Sequence, residues 1–205
     1  MLSWLFRPQC AACSAPAVTP LCGDCEGTLL EASEPPAAGA VERMVAPWRF
    51  GGQLASAIRR LKFTGATHVA RTLAPLWSPL LAAAVAETDG IVIPIPLHWR
   101  RRLQRGFDQT WLLATHACAD ASLPVPRVAL RRVRGAPAQS TLSAADRVAN
   151  LVGAFAVRDP RRIAGRAVIL VDDVVTTGAT MAAAAAPLAA AGATRIIGVA
   201  LARTE

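Results

Sequence analysis

Short apolar runs recur along the chain, and segments with helical spacing lie between them. The run at residues 168–171, Val-Ile-Leu-Val, is typical of a strand that is buried on both faces of a sheet. The predicted strands are residues 41–50, 91–93, 127–133, 154–157, 168–171 and 196–201. Because strands that alternate with helices form parallel sheets, the pattern predicts an α/β fold built on a parallel sheet flanked by helices.

The helices are predicted from apolar residues that recur every three or four positions. One is expected within residues 54–63 and a longer one within 67–86, interrupted near Pro75 and Pro79 because proline removes a backbone donor. A third begins after Asp108, whose carboxylate is suited to capping a helix. Its predicted apolar face consists of Trp111, Leu112, Thr115 and Cys118.

Composition narrows the class of protein. Hydrophobic residues make up 53% of the 205 and the mean hydropathy is +0.36, but alanine supplies much of this. The long uncharged run at 174–194 contains Pro187 and Gly192 and few large apolar side chains, so it predicts an alanine-rich helix rather than a membrane span. Residues 1–8 resemble neither a secretory signal nor a membrane anchor. We therefore expect a cytoplasmic protein without a membrane span.

Charge is distributed unevenly. Residues 1–46 carry two basic and five acidic side chains, whereas residues 47–205 carry 20 basic and nine acidic ones. A strongly basic domain suits phosphorylated ligands or nucleic acid. Alternatively, the excess reflects a coding bias, because 21 of the 22 basic residues are arginine. For the one lysine, Lys62, three roles stay open: a contact in a ligand site, a contact with nucleic acid, and an ordinary surface position.

Four cysteines near the amino terminus form two Cys-x-x-Cys turns separated by eight residues: Cys10, Cys13, Cys22 and Cys25. Paired turns of this kind match the tetrahedral coordination of a structural Zn²⁺. Disulfides are the alternative, and they are rare in the cytosol. A proline- and alanine-rich segment of this size has too little core to fold without a metal. Residues 1–40 are thus predicted to be a zinc ribbon with its linker, and residues 41–205 the larger domain.

The run at 168–171 leads directly into Asp172, Asp173 and a segment rich in hydroxyls. In open parallel sheets, ligands bind beyond the carboxyl ends of strands, where the next helix presents free N–H groups to anions. Phosphate would be bound by hydroxyls and backbone at Thr176, Thr177, Gly178 and Thr180. The carboxylates would repel phosphate but suit sugar hydroxyls or Mg²⁺. The alternative is a strand that ends in a polar turn with an aspartate helix cap.

Arginines follow another strand end, at residues 100–102 and 105. Their guanidinium groups are suited to bidentate contact with phosphate oxygens, and the alternative is a solvated basic turn. His98, just before them, either donates a hydrogen bond to a ligand or caps the loop.

Ordered motifs along most of the chain resemble the ComF family of bacterial proteins, which are similar to type I phosphoribosyltransferases. The motifs are the two cysteine turns, Leu-Lys-Phe-Thr-Gly at 61–65, Pro-Ile-Pro-Leu-His at 94–98, Arg-Gly-Phe-Asp-Gln at 105–109, the spaced Gln139, Arg147 and Asn150, Gly-Ala-Phe at 153–155, and Asp-Asp-Val-Val-Thr-Thr-Gly-Ala-Thr at 172–180. The sequence departs from the family at Asp108, where asparagine is expected. An amide there would have donors that a carboxylate lacks, which puts a ligand contact in doubt but not a capping role.

The resemblance implies a site for phosphoribosyl diphosphate (PRPP) and Mg²⁺. Asp172 and Asp173 would be the catalytic pair that contacts the ribose hydroxyls. The loop that binds the 5′-phosphate would comprise Thr176, Thr177, Gly178, Ala179 and Thr180. Arg101 and Arg105 would bind diphosphate, and so would Arg147, from a mobile lid at residues 139–147.

Three functions stay open on the sequence alone. The first is transfer of phosphoribosyl to an acceptor that no motif identifies. The second, implied by the family's link to competence, is a non-catalytic role in handling single-stranded DNA during uptake. The third is a PRPP-sensing regulator that has lost the reaction. The oligomeric state is not predicted.

Overall fold

The computed structural model describes residues 8–134 and 151–204, in which most strands belong to one central sheet. The strands are β1 (Arg43–Val45), β2 (Trp48–Arg49), β3 (Ile91–Pro94), β4 (Leu130–Arg132), β5 (Phe155–Val157), β6 (Ala167–Val175) and β7 (Arg195–Arg203). The central sheet has the order β1, β7, β6, β3, and β2 also pairs with β7. All of its pairings are parallel, which confirms the predicted sheet.

Strands β4 and β5 form a separate antiparallel pair and do not extend the parallel sheet. Leu130 pairs with Val157, and Arg132 pairs with Phe155. Only Leu130 and Phe155 are buried in these strands, so the pair covers one edge of the core instead of passing through it. The lid expected at residues 139–147 lies between these two strands, within residues 135–150, which fall outside the described residues.

Helices cover both faces of the sheet. They are α1 (Gly23–Glu26), α2 (Gly52–Phe63), α3 (His68–Thr88), α4 (Trp99–Arg105), α5 (Gln109–Asp120) and α6 (Ala179–Ala190), with a 3₁₀ turn at Pro160–Arg162. Ile169 and Val171 of β6 pack with α2, α3 and α5. Val168 and Leu170, on the opposite face, pack with α6 and the β4–β5 pair. The predicted burial of residues 168–171 on both faces is confirmed.

Helix α3 runs without a break through Pro75 and Pro79, so the predicted interruption is wrong. Both prolines are exposed, and they lie four residues apart on the same side of the helix. The carbonyls of Arg71 and Pro75, which lose their helical partners, therefore lie on the side that faces water. The other side buries Leu73, Trp77 and Leu81 in the core and holds the helix together.

The predicted apolar face of α5 is largely wrong. Cys118 is buried, but Trp111, Leu112 and Thr115 are only half-buried. The stripe that faces the core consists of Thr110, Leu113, Ala114, Ala117 and Cys118. Its alanines allow α5 to pack closely against α3, and this close approach determined which face is buried.

One helix within the described residues, α3, is long and apolar enough to cross a membrane by length and composition. Of its most apolar window, 44% is buried within the protein. The uncharged run at 174–194 contains α6, which is only 12 residues long.

Candidate functional site

The two carboxylates lie on β6 itself, because the strand continues to Val175 instead of ending at Val171. The expected loop is therefore short and begins at Thr176. β3 pairs with β6 so that Pro94 lies opposite Val171. The segments that follow these two strands consequently emerge at the same edge of the sheet, where ligands bind in open parallel sheets.

Lys62 lies at the carboxyl end of α2 and forms an ion pair with Asp173. Its Nζ is 2.8 Å from Asp173 Oδ1, and the two side chains are only 19% and 5% exposed. Of the three roles left open for this lysine, the structure supports the first, a position within the site. A buried pair of this kind is costly to break, because a lone charge would stay behind in the protein interior.

The carboxylates of Asp172 and Asp173 are only partly satisfied. Asp172 Oδ1 accepts a 2.8 Å hydrogen bond from the Asp173 N–H and a 3.4 Å one from Thr110 Oγ1. Burial and the neighbouring Asp173 raise the pKa of Asp172 to about 7, against the opposing effect of Lys62. Asp173 Oδ2 is buried and has no hydrogen-bond partner among the described residues. The site therefore suits a ligand that brings hydroxyl donors or a cation.

The segment from Thr176 to Thr180 joins β6 to α6. Thr176 and Thr177 are exposed, and Thr177 Oγ1 accepts a 3.4 Å hydrogen bond from the Ala179 N–H. Gly178 precedes the helix in the left-handed conformation, with φ of 76°. A Cβ built on it would lie 2.9 Å from Met44 Cε and 3.3 Å from Ala38 Cβ. Glycine is needed here for backbone conformation and packing, in addition to any approach to an anion.

Replacing Gly178 by alanine should destabilise the protein by about 2–3 kcal/mol, as left-handed strain adds to overpacking against Met44. The matched control is Gly65→Ala, since Gly65 also has a positive φ (70°) but open space around its Cβ. That control should cost about 1–2 kcal/mol, for strain alone. Urea unfolding measures both values. Equal losses in the two variants would show that contact with Met44 and Ala38 contributes nothing.

Arg101 and Arg105 lie on α4, which begins five residues after β3 ends. They line a cavity of about 580 Å³ together with Lys62, Phe63, Gly65, Gln104 and Phe107. Arg105 donates a 2.7 Å hydrogen bond to Gln109 Oε1 and lies 5.0 Å from the centre of the Phe63 ring. Both arginines thus border the same space as the lysine that pairs with Asp173.

His98 and Asp108 both act as helix caps. His98 Nδ1 accepts a 3.4 Å hydrogen bond from the Arg100 N–H, which favours the capping role left open by the sequence. Asp108 caps α5, as predicted, since its Oδ1 accepts from the Trp111 N–H at 3.2 Å. Its Oδ2 also accepts from the Leu97 N–H at 2.9 Å. A carboxylate can accept from both of these N–H groups. An asparagine would place the N–H donors of its amide opposite one of them, which explains why aspartate fits this position.

The four predicted metal ligands form a cluster. The Sγ atoms of Cys10, Cys13, Cys22 and Cys25 all lie within 4.8 Å of one another. The distance between Cys13 Sγ and Cys22 Sγ is 3.7 Å, close to the roughly 3.8 Å that tetrahedral coordination with metal–sulfur bonds of about 2.3 Å requires. Burial opposes ionisation of Cys10, but N–H groups of Cys13, Cys22 and Ala12 lower its pKa to about 6. The cluster can bind a metal such as zinc.

The cysteine cluster is attached to the helix that carries Lys62. Cys10 and Cys25 are buried in the same apolar core as Leu61 of α2. Arg60 donates a 2.7 Å hydrogen bond to the carbonyl of Ala11, and its guanidinium also contacts the carbonyls of Cys10 and Ala12. The cysteine cluster and the acidic pair, Asp172 and Asp173, are thus both tied to α2, through Arg60 and through Lys62 two residues later.

Three basic residues line one cavity: Arg101, Arg105 and Lys62. Lys62 also forms the ion pair with Asp173 of the acidic pair. Thr176, Thr177, Gly178, Ala179 and Thr180 lie at the same edge of the sheet, but no described contact joins them to the arginines. Arg147 falls outside the described residues. Sequence reasoning assigned no role to Phe63 and Gln109, although both belong to quoted motifs, and it missed Thr110. The signal for Thr110 was its place as a polar residue in the first turn after a helix cap, where it is buried together with Gln109.

Comparison with known proteins agrees with this architecture. Residues 113–204 match the phosphoribosyl transferase domain family. The chain is 33% identical over 180 residues to a DNA utilization protein, YhgH, of Salmonella typhimurium, covering 84% of this chain and 74% of that protein. It is 34% identical over 146 residues to the YhgH of Escherichia coli, and 33% identical over 149 residues to competence protein F of Haemophilus influenzae.

These two alignments cover 69% and 68% of this chain, and each spans 63% of the relative, less than two thirds of its length. The Salmonella relative is matched over most of its length, and the matched domain family agrees with the parallel sheet. Together with the expected motifs, this similarity shows that the chain belongs to the ComF family of type I phosphoribosyltransferase-like proteins.

Proposed function

We propose that the chain binds PRPP with Mg²⁺ at the carboxyl end of β6 and that it acts in DNA uptake. The observation that carries the proposal is the buried Asp173 Oδ2, which has no partner among the described residues. It lies beside Asp172, whose pKa is raised to about 7 mainly by burial. An acidic pair in this state is stabilised by hydroxyl donors such as those of a ribose, or by a cation.

Each part of PRPP has a group of side chains suited to it. Asp172 and Asp173 accept hydrogen bonds from the ribose hydroxyls. The 5′-phosphate binds the hydroxyls and N–H groups of residues 176–180, at the start of α6. Arg101 and Arg105, with Arg147 from outside the described residues, bind the diphosphate through their guanidinium groups. Mg²⁺ would be held by the carboxylates and would neutralise phosphate charge.

The cysteine cluster belongs to the same proposal as a structural site for Zn²⁺. It would stabilise residues 1–40 as a ribbon packed on the larger domain, residues 41–205. Four protein ligands leave no position open for catalysis, so the ion would contribute to stability alone. We place the protein in the cytoplasm, where thiols stay reduced and PRPP would meet incoming DNA.

As a transferase, the protein would move the phosphoribosyl group to a nitrogen of the acceptor. The acceptor's electron pair forms the bond to C1 of the ribose, the bond from C1 to diphosphate breaks, and diphosphate leaves with its electrons. The acceptor nitrogen then loses a proton to solvent. Asp172 and Asp173 would stabilise the positive charge that develops on the ribose, while Arg101 and Arg105 stabilise the leaving diphosphate.

A thermal shift tests the binding site. PRPP with Mg²⁺ at about 100 times its dissociation constant should stabilise the protein by roughly 2.7 kcal/mol, or about 5–11 °C in Tm. Asp173→Asn should remove most of this shift, because the amide places a donor or a neutral acceptor against the ribose hydroxyls. Ribose 5-phosphate and inorganic diphosphate, measured separately, report on the two halves of the site.

The matched control is Asp89→Asn. Asp89 is exposed, ends α3 in a left-handed conformation that asparagine also adopts, and lies before β3, away from the acidic pair. This control should keep the full shift. A wild-type protein without any PRPP shift, or equal shifts in the two variants, would refute the proposed site.

A non-catalytic role in PRPP sensing or DNA handling is the second candidate. The observation that favours it is the ion pair of Lys62 and Asp173, which occupies one of the carboxylate oxygens that ribose or Mg²⁺ would use. A sensor should show the thermal shift but release no diphosphate with any acceptor. A transferase should release diphosphate, and this release should be lost in Asp173→Asn.

A further inference from the structure

Lys62 is located between the acidic pair and the cavity that contains Arg101 and Arg105. Its Nζ lies 2.8 Å from Asp173 Oδ1, while the same side chain lines the cavity of about 580 Å³. It is also the one lysine among the 22 basic residues of the chain. A lysine carries its charge at the tip of a flexible stem, so the ammonium can exchange partners while its Cα stays in place.

In the structure, Lys62 acts as the counterion of the acidic pair. Burial and the charge of Asp173 raise the pKa of Asp172, and Lys62 opposes both effects. The ion pair satisfies Asp173 Oδ1, whereas Oδ2 has no hydrogen-bond partner among the described residues. The ammonium therefore stabilises the pair electrostatically without completing its hydrogen bonds.

A ligand that uses both oxygens of Asp173 has to displace the ammonium of Lys62. Separating a lysine from a buried carboxylate is unfavourable unless the lysine meets another anion. The other residues described as lining the cavity include no acid: they are Phe63, Gly65, Arg101, Gln104, Arg105 and Phe107. The cavity can therefore accept the displaced ammonium only if the ligand itself brings negative charge there.

Arg105 is less free to move than Lys62. It donates a 2.7 Å hydrogen bond to Gln109 Oε1, and its guanidinium carbon lies 5.0 Å from the centre of the Phe63 ring. Lys62, by contrast, is held by its one ion pair with Asp173. Arg105 thus marks a fixed position for an anion in the cavity, and Lys62 is the cation that can move toward this anion.

We propose that Lys62 is a specificity-determining residue, which leaves Asp173 when PRPP binds and pairs with the diphosphate of PRPP beside Arg101 and Arg105. The inference rests on the proposed PRPP site and adds the reason why that site selects PRPP. Ribose 5-phosphate has the same ring hydroxyls but no diphosphate at C1, so it would displace the ammonium without giving it a new partner. The ion pair of Lys62 and Asp173 is then an arrangement that a ligand with a diphosphate can replace.

The test compares the Kd of PRPP with that of ribose 5-phosphate, each in the presence of Mg²⁺, by isothermal titration calorimetry. In Lys62→Gln the Kd of PRPP should rise about tenfold, the loss expected for one charge-assisted hydrogen bond. The Kd of ribose 5-phosphate should fall or stay the same, because no ion pair has to be broken. The preference for PRPP, expressed as the ratio of the two Kd values, should therefore fall about tenfold or more.

The parent protein supplies a second measurement, which does not depend on how well the variant folds. Inorganic diphosphate with Mg²⁺ should lower the Kd of ribose 5-phosphate about fivefold or more, because it gives Lys62 a new partner and frees Asp173. By reciprocity, ribose 5-phosphate should lower the Kd of diphosphate by the same factor. Lys62→Gln should abolish this coupling.

The matched control is Arg59→Gln, which removes one positive charge from the same helix. Arg59 is exposed, precedes Lys62 by less than one helical turn, and does not line the cavity. Both Kd values should stay within about twofold of those of the parent, because the charge of an exposed side chain is screened by salt.

An unchanged ratio of the two Kd values in Lys62→Gln would overturn the proposal, since Lys62 would then be a fixed counterion. A coupling that persists in that variant, or that is absent from the parent, would also overturn it. Asp173→Asn tests the PRPP site separately. If that variant loses PRPP binding while Lys62→Gln keeps the parent ratio, the PRPP site stands and the role of Lys62 fails. If the parent binds neither ligand, the PRPP site itself fails, and the role of Lys62 fails with it.

Discussion

If the cysteine cluster is a structural metal site, as proposed, the Cys25→Ser variant is expected to bind no metal and to melt at least about 10 °C below the parent protein. Cys25 is 4% exposed and Cys10 is 1% exposed, and both belong to the core that contains Leu61 of α2. Loss of the metal leaves the thiolates without a shared cation and releases the first cysteine turn from Arg60. The free energy of metal binding is free energy of folding in so small a segment.

The effect should extend to the acidic pair. Arg60 contacts the carbonyls of the first cysteine turn, and Lys62, two residues later on α2, pairs with Asp173. Cys25→Ser should therefore also weaken PRPP stabilisation, although Cys25 lies outside the proposed PRPP site. Elemental analysis measures the metal content and identifies the metal, while differential scanning calorimetry gives the Tm.

The fifth cysteine provides the control. Cys118 is buried in α5, outside the cluster, and burial raises the pKa of its thiol to about 11. Cys118→Ala should keep one metal ion per chain and cost only about 1–2 kcal/mol, for lost packing. If Cys25→Ser kept the metal and the parent Tm, the cluster would not be a structural metal site.

Asp172→Asn is expected to raise the Tm at pH 8 by about 3–8 °C, as it removes a charge that the folded state accommodates poorly. An unfolded aspartate loses its proton near pH 3.8, whereas burial and the neighbouring Asp173 hold the pKa of Asp172 at about 7 in the folded state. Between these values the folded state binds more protons than the unfolded state. Stability from this group is therefore present below pH 4 and declines as pH rises toward 7.

A shift of three units corresponds to an upper bound of about 4 kcal/mol, and we expect about 1–3 kcal/mol because Asp172 is only half-buried, which weakens the electrostatic cost. The variant should therefore show a shallower fall in Tm between pH 4 and 8 than the parent. Glu42→Gln is the control, because its pKa shift has the opposite direction: hydrogen bonds from Arg195 lower the pKa of Glu42. That control should not raise the Tm at pH 8. An Asp172→Asn protein that melts at or below the parent at pH 8 would contradict the raised pKa.

The stability of Asp172→Asn and the PRPP shift of Asp173→Asn together report on whether the acidic pair is a ligand site. A carboxylate such as that of Asp172, which weakens the folded state at neutral pH, is explained if a ligand supplies the missing donors or cation. The pair then contributes to binding at a cost in stability of the free protein. Loss of the PRPP shift in Asp173→Asn together with a gain of stability in Asp172→Asn would support this account.

Features that depend on neighbouring residues were predictable. The apolar run at 168–171 gave the central strand, and the sequence position of Asp108 gave a helix cap that the structure confirms. The spacing of the four cysteines predicted a cluster of thiols that can hold a metal for the same reason, since each Cys-x-x-Cys turn places two thiols together by local geometry. Local patterns failed where packing overrode them, as in the unbroken α3 and the buried face of α5.

By itself, then, the sequence determined the parallel sheet, the acidic pair directly after the apolar run at 168–171, and the cysteine cluster, because periodicity, capping and ligand spacing are local properties. Only the tertiary structure decided that Lys62 meets Asp173 across 111 positions, that Arg60 holds the first cysteine turn, and that Arg101 and Arg105 border the cavity that Lys62 lines. Such contacts form between side chains far apart in the chain, and their distances depend on how the helices pack on the sheet.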